Sequence, residues 1–158
     1  MKPPTLNELK RELSELPPAE LVKVCLRLAK YKKENKELLH YILFDSNYEP
    51  AYIERVNAET DQAFSGMNTS TLYFAKKSIR KILKLTTKYI RYSGNKQTEV
   101  ELLIHFCTKL KQSGISIKSS NSLSNLYLNQ VRKIHTTIGS LHEDLQHDYL
   151  EEIAALNL

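Results

Sequence analysis

Glycine is scarce in this chain, four residues in 158, and proline is hardly commoner at five. A sandwich or barrel needs more tight turns than so few punctuating residues can build. Cysteine is scarcer still: Cys25 and Cys107 stand alone, neither in a CxxC pair. That excludes a zinc ribbon and dithiol redox chemistry. Both fall on apolar faces of expected helices and read as small core hydrophobes, in keeping with a reducing cytoplasm. No apolar run approaches the eighteen or so residues that span a bilayer. The Met-Lys-Pro-Pro start lacks the apolar stretch of a signal peptide, so the sequon at Asn68 is discounted. No phosphate-binding Gly-rich loop, GxSxG elbow or HExxH pair occurs. The expectation is a soluble, cytoplasmic bacterial protein that is not an enzyme and holds no cofactor.

What the chain does have is helical periodicity. Tyr127, Val131, Ile134, Ile138, Leu141 and Leu145 step by 4, 3, 4, 3 and 4, and Tyr149, Ile153 and Leu156 continue the stripe. That is one face of an α-helix; a strand would step by two. Unbroken from 123 to 156, the helix would run roughly 50 Å at about 1.5 Å per residue. Gly139, followed by the capping-box spacing Ser140-x-x-Glu143, is the place where it can kink or divide. The rest of the chain is expected to pack against this stretch.

Upstream, Thr5-x-x-Glu8 is a capping box that opens a short helix carrying Leu6, Leu9, Leu13 and Leu16. Pro17-Pro18 closes it and starts a second, burying Leu21, Val24, Cys25 and Leu28, with Tyr31 at its end. Asn35 is the expected cap of a third helix through Leu38, Leu39, Ile42 and Leu43. A helix from Pro50 to about Phe64 follows a turn cluster, and another from about Ser70 to Ser93 buries Leu72, Ala75, Ile79, Ile82, Leu83, Thr86 and Ile90. Gly94 suits a left-handed cap. Thr98-x-x-Glu101 begins the next helix, with Val100, Leu103, Ile104, Cys107 and Leu110 inward. The serine-rich stretch 119–124 is a loop. The pattern predicts one all-α domain over 1–158, an irregular bundle of six or seven helices with a long C-terminal helix.

The opening carries a resemblance. Leu9-x-x-x-Leu13-x-x-Leu16, followed by Pro-Pro-Ala-Glu-Leu-Val-Lys-Val-Cys-Leu, resembles the short-helix, long-helix start of uncharacterised bacterial all-helical proteins. It is also similar to the start of armadillo- or HEAT-like arrays. The likeness covers residues 5 to 44 and rests on leucine spacing. It implies a short right-handed stack of helices as the alternative to a bundle, and brings no functional residues with it.

Charge is segregated along the chain. Residues 1–61 carry a net charge of −1, residues 62–142 carry +11, and residues 143–158 carry −5. The basic density peaks at Lys76, Lys77, Arg80, Lys81, Lys84, Lys88 and Arg91, on the arc opposite the apolar face of one helix. Tyr73 lies within that arc, with Phe74 and Tyr92 flanking it. Such a face suits phosphates and stacked bases; the competing reading is an ordinary solvated surface or an acidic partner. The acidic end has an apolar stripe to bury and no base of its own. It is expected to dock near the basic helix, in the same chain or across a two-fold dimer.

Histidine–carboxylate spacings occur at Glu143, His147 and Glu151 and at Glu101 and His105, a pattern that bundle metal sites use. By helical-wheel geometry His147 lies about 160° from the apolar stripe and points outward, and the second pair flanks its buried face. His135 and His142 are about 10 Å apart along one axis, too far for one metal. The first functional reading is therefore a helical interaction or scaffold protein, whose partner or second copy meets the C-terminal helix. The alternative is a nucleic-acid-binding protein using the basic helix.

Overall fold

Thr5 and Glu8 open the first helix by capping each other: the Glu8 amide donates to Thr5 Oγ1 and the Thr5 amide to the Glu8 carboxylate. In the computed structural model, which describes residues 1–158, this helix is the first of eight, and there is no strand. They are α1 (Leu6–Ser14), α2 (Pro18–Tyr31), α3 (Lys33–His40), α4 (Glu49–Ser65), α5 (Leu72–Ser93), α6 (Lys96–Gln112), α7 (Asn121–Ile138) and α8 (Glu143–Ala155). The count exceeds the expected six or seven because the 123–156 stripe is two helices.

The chain forms two compact units, residues 1–44 and 45–158. In the first, α2 and α3 pack together. Asn35 does not cap α3, which begins two residues earlier; its amide instead donates to the Leu28 carbonyl, satisfying a free acceptor at the end of α2. No side chain of α1, α2 or α3 is fully buried. Cys25, Leu28 and Tyr31, expected in a core, are exposed. Too few residues converge here to enclose a centre. Asp45 opens the second unit at the end of a single π-helical turn, Tyr41–Asp45.

The second unit is built around α6, which packs against α4, α5 and α7. This corrects the expectation that the C-terminal helix is the hub. Val100, Leu102, Leu103, Ile104, Phe106, Cys107 and Leu110 are all buried, so the apolar face of α6 covers more than half of its circumference. Asn95 caps it by accepting from the amides of Gln97 and Thr98, so the helix starts before the Thr98-x-x-Glu101 spacing. Thr98 turns inward to the carboxylate of Glu49 on α4. The ring of Phe64 on α4 meets Phe106 at 5.7 Å.

Few polar residues of α6 face inward; Thr98, Glu99 and His105 find partners on neighbouring helices, while the buried Thr108 hydroxyl has none. Glu99 is buried between Lys96 and Lys133 of α7, at 3.1 Å each. Burial works to raise its carboxyl, but the two ammonium groups outweigh it and hold the group below the usual range. His105 Nε2 lies 2.7 Å from Asp61 of α4, and Lys109 lies 3.2 Å from the same carboxylate.

Between α7 and α8 the chain turns at Gly139, Ser140, Leu141 and His142. Side chains satisfy the open carbonyls: Ser140 Oγ donates to Thr137, and the Gln146 amide donates to Gly139 and Leu141. The cap of α8 is His142, whose Nδ1 accepts from the Asp144 amide, so the expected Ser140 capping box does not form.

Candidate functional site

The basic helix is positioned by strong end signals. The Thr71 side chain accepts from the Phe74 amide at the start of α5, and Gly94 ends the helix at φ +64°, where a side chain would be strained. Ala75, Ile79, Ile82, Thr86 and Ile90 form its buried face, and α4 and α6 cover it. The buried Thr86 hydroxyl is satisfied by donating to Ile82 O one turn back. Tyr52 of α4 donates to Tyr89 O, and Tyr89 donates in turn to Glu59. These contacts fix the rotation of α5 about its axis. Everything of the opposite sense then faces out.

On that outer arc Lys77, Arg80, Lys81, Lys84 and Arg91 are exposed and Lys76 is half-buried. No Asp or Glu lies on α5. None of Lys76, Lys77, Arg80, Lys81, Lys84 and Arg91 pairs with a carboxylate. Lys88 differs: it is half-buried, with its ammonium over the rings of Tyr89 and Tyr92 at 5.0 and 5.9 Å. Six of the seven expected cations therefore form an unneutralised face, while the seventh is engaged by aromatic rings. One contributor comes from far along the chain: Arg80 Nη2 lies 3.5 Å from Ser122 Oγ, in the first turn of α7. No local pattern links residues 80 and 122.

The acidic end lies elsewhere. α8 packs against α7, and Tyr149 joins it to α6 through Glu101 and Gln97. Lys111 of α6 donates to the carbonyls of Leu156 and Asn157. Tyr149 and Ile153 are buried, whereas Glu143, Asp144, Asp148, Glu151 and Glu152 are exposed and none pairs with α5. Within the chain, then, the acidic helix does not cover the basic face.

The histidine–carboxylate spacings are divided among other duties. His147 pairs with Glu151 in solvent at 3.3 Å, His142 caps α8, His105 turns to Asp61 and Glu101 to Tyr149. No group of three or more His, Cys, Asp and Glu side chains is gathered in a way that could hold a metal ion. No helix is long and apolar enough to cross a membrane.

Comparison with protein-family models, curated proteins and solved structures finds no match for this chain.

Proposed function

We propose that the protein is a binding protein whose partner is nucleic acid, held through the outer face of α5. The observation that carries this reading is the set of cations without carboxylate partners at Lys76, Lys77, Arg80, Lys81, Lys84 and Arg91. Charges of one sign along one helix repel each other, and nothing on α5 offsets them. A polyanion relieves that repulsion and gains entropy by releasing its condensed counterions. Retention on heparin and a gel shift with generic DNA or RNA at about 50 mM salt test the reading. Arg80→Glu with Lys84→Glu should weaken both without unfolding the protein. If the parent protein neither shifts nucleic acid nor binds heparin, the reading fails.

A second reading, a protein-interaction scaffold, is supported by the first unit. Leu6, Leu9, Leu13, Val22, Leu26 and Leu28 are all exposed there, more apolar side chains than so small a surface commonly leaves in water. The C-terminal helix suits that role less well, since Tyr149 and Ile153 are already buried and a partner would meet its acidic outer face. Pull-down by residues 45–158 as efficient as by the full chain would argue against a role for the exposed leucines.

A further inference from the structure

Among the residues of the basic face, one is not a cation. Tyr73 is 66% exposed, in the first turn of α5. It is no stray surface aromatic: its ring sits edge-on to Phe74, with centroids 5.4 Å apart and planes at 75°. That contact braces the ring while leaving most of it open to water. At about 100° per residue, Tyr73, Lys77, Arg80, Lys84 and Arg91 fall within an arc of roughly 60°, so they form one line along the helix. Along that line Tyr73 precedes Lys84 by about 16 Å, with a cation on each intervening turn. Ser122 stands beside Arg80 as a hydroxyl from a second helix, of the kind that hydrogen-bonds phosphate oxygens.

We propose that this line is a site for single-stranded nucleic acid, with Tyr73 as the stacking platform for one base and Lys77, Arg80, Lys84 and Ser122 as the phosphate contacts. The inference rests on the nucleic-acid reading above and narrows it. A duplex can meet the same cations, but its bases are stacked inside the helix and cannot lie on an exposed tyrosine. A single strand offers both a phosphate track and a free aromatic face, and stacking is tolerant of base identity because every base has one. The site should therefore select strandedness and show little sequence preference.

Fluorescence anisotropy with labelled oligothymidylate, oligouridylate and a DNA duplex of equal length, at about 50 mM salt, tests this. Both single strands should bind more tightly than the duplex. Tyr73→Ala should weaken them by roughly 5- to 150-fold and leave duplex binding unchanged, the range expected for loss of one stacked base. Tyr73→Phe should retain the affinity, and matched melting curves should show that both variants fold. Arg80→Glu should weaken single strand and duplex alike. A parent protein that binds no nucleic acid removes the proposed function and this inference with it. A parent protein that binds, with Tyr73→Ala without effect or with equal loss on duplex and single strand, overturns only the single-strand site.

Discussion

Tyr149 donates a hydrogen bond of 2.6 Å to the carboxylate of Glu101, which joins the last helix to the central one. Gln97 donates to the same phenol oxygen at 2.9 Å, so the hydroxyl is satisfied as both donor and acceptor. Burial, followed by the Glu101 carboxylate, pushes the phenol well above its ordinary value. Tyr149→Phe should cost about 1–2 kcal/mol at neutral pH, the size of a hydrogen bond to a charged, partly solvated acceptor. Because the phenol is raised in the folded state, its contribution is complete below about pH 10 and fades as pH climbs beyond. Urea melts of the two proteins should differ at pH 7 and converge in strong alkali.

Glu99 gives the opposite pH sign. Its carboxyl is held low by Lys133 and Lys96 against the effect of burial, so that stability is present above about pH 4.3 and is lost on acidification through the lowered folded value. Lys133→Met leaves a buried carboxylate with one partner fewer and should cost about 1–2 kcal/mol at pH 7. The cost should shrink on acidification through the lowered folded value, as protonation removes the charge. Denaturant midpoints across an acid pH series check this.

The two thiols should be distinguishable in one experiment. Cys25 is exposed and Cys107 is buried, and burial pushes the Cys107 thiol up to about 12. A chromogenic disulfide reagent should titrate one thiol per native chain and two after denaturation. Two fast thiols in the native protein would contradict the packing of α6.

Stability and binding should separate by residue. Phe106→Ala, at a fully buried position beside Phe64, should cost about 3–5 kcal/mol. Arg80→Glu and Lys84→Glu sit on an exposed arc and should change stability by no more than about 0.5 kcal/mol each. Thermal melts of the three variants make the comparison.

Helix class and most of the helix ends were legible because capping residues and apolar spacing are local. Thr5 and Gly94 act where their chemistry suggests. The hub was not legible in the same way. Leu102 and Phe106 lie off the single stripe expected of α6, and both are fully buried; a search for one apolar face overlooks a helix buried on several. Gly139 marked where the stripe could divide, but α8 keeps the phase of the α7 stripe, so spacing alone did not decide between one helix and two. The chain's net charges suggested that the acidic end docks near the basic helix, within the chain or across a two-fold dimer, and the first of these does not occur. In the structure α8 follows its buried Tyr149 and Ile153 instead, since exposed ion pairs contribute only about 0–1 kcal/mol and do not decide packing. The basic face itself was readable residue by residue except at Lys88, whose tyrosine contacts mute it, and at Ser122, which only the fold brings to Arg80.

The salt dependence of single-strand binding is the most direct test of α5 as a nucleic-acid surface. The logarithm of the association constant plotted against that of salt concentration should fall with a slope of about −3 to −4, as four to six phosphate contacts to a single strand require. The double variant Arg80→Glu, Lys84→Glu should make it shallower by about 2. A slope near zero, or one the double variant leaves unchanged, would mean that the lysines and arginines of α5 are an ordinary solvated face.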